Sequence, residues 1–209
     1  LFCIITLLNG FNFIDGINGL SCGYILSIIV VLYMILINDN LHDHKEIIYL
    51  LKNLAVIYFV FLIFNFFGLS FFGDNGIYIS SLIISYLVIK TTNVTNNISP
   101  IVAVALLWYP AFENLFSIIR RLLKNNTPYN PDKLHLHSLL LRTFFIKIKF
   151  LPKKFMNSFS GFIINLFLLP NFYFTYLFYD KSFYLGIVVG IYIVLYLIFY
   201  NLLIKNLKN

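Results

Sequence analysis

Three of the eight acidic residues, Asp15, Asp74 and Glu113, adjoin or enter apolar segments. A carboxylate at the centre of a membrane helix costs about 3 kcal/mol or more, so such residues face protein or water and mark sites of function. Asp74 lies in Phe71-Phe72-Gly73-Asp74-Asn75-Gly76. Glycines beside an acid let backbone and carboxylate approach a phosphate or a metal closely, and Mg²⁺ takes carboxylates together with substrate phosphates. The same pattern also suits a polar turn with Asp74 near a helix N-terminus. Asp15 belongs to a ladder, Asn9, Asn12, Asp15 and Asn18, in steps of three. That spacing predicts one slowly drifting helical face. A polar face in an apolar helix turns toward a cavity or a protein interior. Amides donate and accept, which suits recognition of a base or a sugar amide. They suit hydrogen bonds between helices as well. Glu113 follows Pro110, a residue that kinks helices, and either a partner in the bundle or a chemical role fits it.

A second chemical cluster runs from Pro128 to Arg142 as PYNPDKLHLHSLLLR. Pro128 and Pro131 resist helix, so the segment is expected to start extended or turned. His135 and His137, two apart, share a side in an extended chain and take nearly opposite sides on a helix. With Lys133 and Arg142 they can bind an anionic group such as a diphosphate.

The elements that must position these residues are membrane helices. The chain is 60% hydrophobic, 19% aromatic and 11% charged, against about 45–50% apolar and 25% charged in soluble domains. The fold class expected is all-α, a polytopic integral membrane helix bundle of about six full spans plus a partial first span. Runs near 20 apolar residues fall at Leu20–Ile37, Ile47–Phe67, Ile98–Ile119, Phe159–Phe178 and Phe183–Leu203, with a shorter one at Ile77–Ile89. Leu1–Leu8 has no basic stretch before it and no cleavage pattern after it. It reads as the end of a membrane helix whose beginning lies outside the sequence.

Nine of the fifteen Lys and Arg residues lie in Arg120–Lys154. The positive-inside rule makes that loop cytoplasmic, and alternation brings the Asn/Asp ladder and Gly68–Gly76 to the same side. The expected organisation is one membrane domain, 1–209, with a basic cytoplasmic loop at 120–157. The net charge of +7 sits beside membrane spans, so the partner it implies is anionic lipid and not nucleic acid. Cys3 and Cys22 form no redox or metal spacing and read as packing residues. Asn93-Val-Thr95 and Asn97-Ile-Ser99 match glycosylation acceptors, a cheap match in an Asn-rich chain. Gly186 and Gly190 have the spacing of a close helix approach.

Together these segments resemble the polyprenyl-phosphate N-acetylhexosamine-1-phosphate transferases of glycosyltransferase family 4, bacterial membrane enzymes related to the phospho-N-acetylmuramoyl-pentapeptide transferase. NGFNFIDGINGL is similar to the family's N-x-x-N-x-x-D-G-x-D-G-L, and FFGDNG to its F-x-G-D-x-G. WYPAFENLFSIIRR followed by PDKLHLHSLLLR resembles its late helix and histidine loop. There are departures. Asn18 stands where the family has a second Asp, Ser138 where it has a further His, and Glu113 where Asp is common. The family's adjacent aspartate pair is absent and is expected before Leu1, which would make the chain the C-terminal part of a longer transferase.

The resemblance implies transfer of a sugar 1-phosphate from a UDP-sugar to polyprenyl phosphate, with UMP released, at the cytoplasmic face of the bacterial inner membrane. It implies Asp74, Asp15, His135 and His137 as catalytic residues, with Mg²⁺ (or Mn²⁺) on Asp74. Asn9, Asn12, Asn18, Lys133, Arg120, Arg121 and Arg142 would bind substrate, and Phe71 would stack on the uracil. Products of such enzymes enter cell-envelope glycans such as O-antigen, and a homodimer is one assembly the reading allows. Two rival readings stand beside it. A transporter or channel also places acids and glycines within spans, and a transferase fragment without its first half would fold and not turn over.

Overall fold

A backbone in hydrocarbon must satisfy its polar groups internally, which makes long apolar runs helical. The computed structural model describes residues 2–38, 44–93, 97–123, 134–147 and 152–208. Among them are eight helices: α1 (Phe2–Ile14), α2 (Leu20–Asn38), α3 (Lys45–Phe66), α4 (Gly73–Thr92), α5 (Ile101–Leu123), α6 (Leu136–Lys147), α7 (Lys153–Leu177) and α8 (Ser182–Lys208). Five helices are long and apolar enough to cross a membrane: α2, α3, α5, most of α7 and α8. The run at Ile77–Ile89 extends at both ends into α4, whose 20 residues make about 30 Å, the thickness of a bilayer core. α4 carries Asp74 and Lys90 near its two ends, so it reaches span length with a less apolar composition.

Two boundaries differ from the sequence reading. First, the opening apolar run and the polar ladder are not separate: α1 continues through Asn9 and Asn12 to Ile14. Asp15 still donates its N–H to the Phe11 carbonyl, at 3.1 Å, so it closes the last turn. The helix then stops, and Gly19 adopts φ 79°, a conformation glycine enters without steric cost. Asn18 therefore leaves the ladder's face; the step of three continues in the sequence but not in space. Second, the basic segment 120–157 is not one loop. α5 runs on to Leu123, α6 occupies Leu136–Lys147 and α7 begins at Lys153. α6 forms because Leu136, Leu139 and Leu140 have a core to enter, and all three are buried. The prolines of the expected extended stretch, Lys133, and most of the first glycosylation match lie outside the described residues.

The helix packing shows two ends. At one, Ser99 N–H donates to the Tyr179 carbonyl at 2.8 Å and the Ser99 and Ser182 hydroxyls meet at 2.7 Å. At the other, Asn18 N–H donates to Asn157 Oδ1 at 2.7 Å, Gly19 N–H to Asn65 Oδ1 at 2.6 Å, and Ser158 Oγ to the Phe66 carbonyl. The turn after α1, the turn before α4 and the start of α7 thus share one end of the bundle, as the alternation of spans requires.

α1 packs against α5 with almost no space between backbones. A Cβ on Gly10 would lie 2.1 Å from the Pro110 carbonyl oxygen. Four residues earlier the Thr6 carbonyl accepts from Asn114 Nδ2 at 3.1 Å, so paired positions advance in opposite directions along the two helices. Pro110 has no N–H, which leaves the carbonyl of Leu106 without its helical donor. The Tyr24 hydroxyl on α2 donates to that carbonyl at 2.8 Å, so the proline is accommodated by a neighbouring helix. Gly186 and Gly190 behave otherwise: a Cβ on either would meet nothing within 4 Å. They mediate no close helix contact among the described residues.

Candidate active site

The site is assembled where α1 ends, α4 begins and α6 begins. Asn12 Nδ2 donates to Asp74 Oδ1 at 3.1 Å. This one bond joins two polar motifs 62 residues apart. Asp74 sits in the first turn of α4 and is exposed. The approach to α4 is built from two glycines at positive φ, Gly68 at 71° and Gly73 at 62°. Between them Phe72 is pinned by the Tyr58 and Phe61 rings, 6.1 and 4.3 Å away by centroid. Phe71, the residue before it, is 67% exposed, open to stacking on a ligand.

Asp15 is half-buried beside Ser21, whose hydroxyl donates to Asp15 Oδ1. Burial pushes the Asp15 carboxyl up to about 6, the negative charge of Asp74 pushes it the same way, and the Ser21 bond partly opposes both. Two carboxylates close enough to disfavour each other's charge form a natural place for a cation. Mg²⁺ needs only one or two protein carboxylates when substrate phosphates complete its shell. Among the described residues no group of three or more His, Cys, Asp or Glu could hold a metal by itself. The donor set fits a metal shared with a phosphate ligand, with Asp74 as the exposed carboxylate able to meet it.

The two histidines arrive from α6. His135 immediately precedes the helix, and His137 is its second residue. Their rings lie parallel, 6° between planes and 5.5 Å between centroids. Of the two arrangements the spacing allows, the shared side is the one found, because His135 is not yet helical. His135 also meets the Phe13 ring of α1 at 4.8 Å. His137 lies on the turn after α1: a Cβ on Gly16 would be 2.3 Å from its Nε2. Only a glycine next to Asp15 admits the imidazole at that height. Glu113, fully buried on α5, accepts from His135 Nδ1 at 3.1 Å and from the Leu136 N–H at 3.2 Å. Of the readings open to Glu113, the structure supplies the partner.

Other expected site residues are placed differently. Asn9 is half-buried one turn before Asn12 on the same face of α1. Asn18 is engaged with α7, through its backbone N–H to Asn157 and its side chain to Ser158 Oγ at 3.5 Å. That is a framework position, where substrate contact had been expected. Arg120 is buried between the Phe116 and Tyr200 rings, 5.3 and 5.5 Å from their centroids, and reaches Ser117 Oγ at 3.4 Å. Its cation is thus held against α8. Arg121 is half-buried on α5 and Arg142 is exposed on α6.

One residue that shapes the site went unnoticed in the sequence. Asn65, buried near the end of α3, accepts from Gly19 N–H and donates to the Ser70 carbonyl at 2.8 Å. It ties the turn after Asp15 to the turn before Asp74. Asn165 of α7 does similar service, donating to the Gly19 carbonyl at 2.8 Å. The available signal was an amide inside an apolar run, masked here by the chain's general richness in Asn.

Comparison with known proteins gives a family and several relatives. The profile of the family described as Glycosyl transferase family 4 matches residues 1–92. The undecaprenyl-phosphate alpha-N-acetylglucosaminyl 1-phosphate transferase of Escherichia coli (strain K12) is 29% identical over 149 residues, covering 69% of this chain and 40% of that protein. The decaprenyl-phosphate N-acetylglucosaminephosphotransferases of Mycolicibacterium smegmatis and Mycobacterium leprae are 31% and 28% identical, covering 66% of this chain and 38% and 39% of theirs. The chain therefore spans about two fifths of the length of these curated relatives. No solved structure matches.

Proposed function

We propose, on the premise that residues 1–92 belong to glycosyl transferase family 4, that this chain forms part of a membrane phosphotransferase. Its reaction moves N-acetylglucosamine 1-phosphate, or a close relative of it, from a UDP-sugar to a polyprenyl phosphate. The relatives are named for such transfer to undecaprenyl or decaprenyl phosphate. The observation that carries the reading is the convergence of Asn12, Asp74 and His137 around the turn that bears Asp15. Three segments far apart in sequence meet at one end of a membrane bundle, where a soluble donor and a lipid acceptor can both reach.

In this reading an oxygen of the polyprenyl phosphate attacks the sugar-bound phosphorus. The bond from that phosphorus to the bridging oxygen breaks, and UMP leaves. Such chemistry is mostly positioning and charge neutralisation. Mg²⁺, or Mn²⁺ in its place, would be held by Asp74 and would neutralise the donor's diphosphate. Asn12 holds the Asp74 carboxylate in orientation. Asp15, with its raised carboxyl, is placed to take a proton from a singly protonated acceptor phosphate. His135 and His137 offer imidazole nitrogens to the donor's phosphates, and exposed Phe71 offers a ring face to the uracil. The site faces the cytoplasm of a bacterial inner membrane in this proposal, because UDP-sugars are made there and because the basic residues cluster in Arg120–Lys154.

The test is binding followed by turnover. The purified chain in detergent is titrated with UDP-N-acetylglucosamine with and without Mg²⁺, and release of UMP is then measured with polyprenyl phosphate present. The expected result is Mg²⁺-dependent nucleotide binding that Asp74→Asn abolishes while the protein remains folded. Binding of no uridine nucleotide under any divalent-cation condition would overturn the proposal. Equal Mg²⁺ dependence in Asp74→Asn would remove that residue from the metal site.

A further inference from the structure

We infer that Glu113 is a positioning residue, which fixes His135 as the Nδ1–H tautomer and anchors the start of α6 so that the imidazole pair stands over the Asp15 turn. The use of that pair toward a phosphate ligand rests on the transferase reading above; the tautomer and the anchoring do not.

Two donors from the start of α6 reach the Glu113 carboxylate. Oε1 accepts from the Leu136 N–H and Oε2 from His135 Nδ1. The backbone N–H can only donate, so Oε1 must be an acceptor. Leu136 is the first residue of α6, where helix N–H groups lack intrahelical partners and a nearby carboxylate is favoured. The side chain of α5 thus does for α6 what a local capping residue does elsewhere. A carboxylate at Oε2 in turn requires a proton on His135 Nδ1, and Nε2 is the ring nitrogen that does not bond Glu113. The ring of His137 lies parallel to that of His135. Its own height is limited by Gly16, and α6 cannot slide along its axis without breaking the Leu136 bond. Glu113 is fully buried. It acts on the imidazole pair through its bonds to His135 and to the start of α6.

Substitution by Gln makes a sharp distinction. Gln offers one acceptor oxygen and one amide donor in the same shape. If its oxygen keeps the Leu136 N–H, its NH₂ faces His135 Nδ1, and two donors oppose each other unless the imidazole shifts its proton to Nε2. Glu113→Asp keeps both acceptors on a shorter stem.

The experiment uses ¹⁵N-histidine-labelled full chain in detergent micelles, with the His135 resonances assigned by their loss in His135→Asn. The wild type is expected to show a protonated Nδ1. Glu113→Gln is expected to show Nδ1 without its proton, and Glu113→Asp the wild-type pattern. In a transfer assay Glu113→Gln is expected to lower kcat by about 10–100-fold with KM for the UDP-sugar little changed, as for residues that orient a functional histidine, and Glu113→Asp is expected to recover most of that loss. An Nε2–H tautomer in the wild type overturns the inference even if every variant misfolds. An unchanged tautomer in folded Glu113→Gln also overturns it. If the tautomers behave as expected and the chain binds no uridine nucleotide, the positioning stands and the transferase reading fails.

Discussion

Gly16 gives the most direct test of the site's geometry. Alanine adds one methyl group, and the position of its Cβ lies 2.3 Å from His137 Nε2 and 3.1 Å from both adjacent ring carbons. Ordinary contact begins near ~3.5 Å, so the ring must withdraw by roughly 1 Å. His137 is 5% exposed, stacked on His135, and carried on a helix whose first N–H is held by Glu113. The withdrawal must therefore come from rotating the imidazole away from the Asp15 turn. A misplacement of about 1 Å costs about 100-fold in rate. The fold should suffer far less. Overpacking costs about 1–3 kcal/mol, and loss of glycine's freedom in the unfolded chain returns about 0.4–1 kcal/mol, for a net loss of roughly 0–2.5 kcal/mol.

The assay is a double-mutant cycle on sugar-phosphate transfer, with the His137 ring ¹⁵N shifts recorded alongside it. Gly16→Ala is expected to reduce transfer by about 100-fold and to move the His137 resonances. A His137→Ala background removes the three atoms nearest to the added methyl, and Gly16→Ala is expected to have almost no further effect. An equal loss in both backgrounds would refute the reasoning, because the methyl would then act through something other than the imidazole. Unmoved ring shifts in folded Gly16→Ala would refute it without any turnover being measured.

Three further outcomes follow from the same contacts. Gly10→Ala places a Cβ 2.1 Å from the Pro110 carbonyl oxygen; backbone cannot yield as a side chain does, so thermal unfolding in detergent should show a loss of about 3 kcal/mol, the upper end for overpacking. Asn65→Ala removes partners from the Gly19 N–H and the Ser70 carbonyl, and should cost about 1–3 kcal/mol, with faster hydrogen exchange at Gly19 as the local readout. Stability should also depend on pH through Asp15. Its carboxyl stands at about 6 in the folded chain against an ordinary 3.8, so between those values the folded state holds a proton that the unfolded state has released. Stability must then fall as pH rises across that window and level off above it; in the absence of divalent cations, Asp15→Asn should lose this component of the slope, and an unchanged slope would contradict the raised carboxyl.

The helices were legible because the bilayer leaves apolar runs no other structure, and α2, α3, α5, α7 and α8 lie close to the runs that announced them. The limits of α1 were not. Asn9 and Asn12 look like a break in an apolar pattern, yet a polar face turned toward α4 lets the helix run through them. Asn18 keeps the ladder's spacing, and nothing in a spacing of three reveals that Gly19 will take a positive φ and end the register. The roles of Asp15 and Asp74 as one cluster could be read from their motifs only by resemblance; the bond from Asn12 to Asp74 is a tertiary fact. Glu113 was visible as an acid at membrane depth. Its partner lay 22 residues on, across a segment whose path no local rule fixes, and appears only once α6 docks.

The pattern of ties explains how so irregular a site stays in place within an apolar bundle. Asn65, Asn157, Asn165 and Asn171 all bond backbone groups of other helices or turns, at Gly19, Asn18, Gly19 and Ala105. A neutral amide carries a donor and an acceptor, so it can satisfy a stray N–H or carbonyl without placing a charge in a medium that penalises it. Salt bridges would hold the same turns only at a desolvation cost that often exceeds their attraction. The division of labour follows from that cost. Amides fix the turns around Gly19 and Ser70, aromatic rings take Arg120, and the buried carboxylate of Glu113 is matched to His135 and one helix N–H. Asp74 is left near enough to Asp15 to disfavour its charge. A pair of acids held in that state by a neutral framework favours the arrival of a cation and of the phosphates that come with it, which is the work the proposed reaction asks of this end of the bundle.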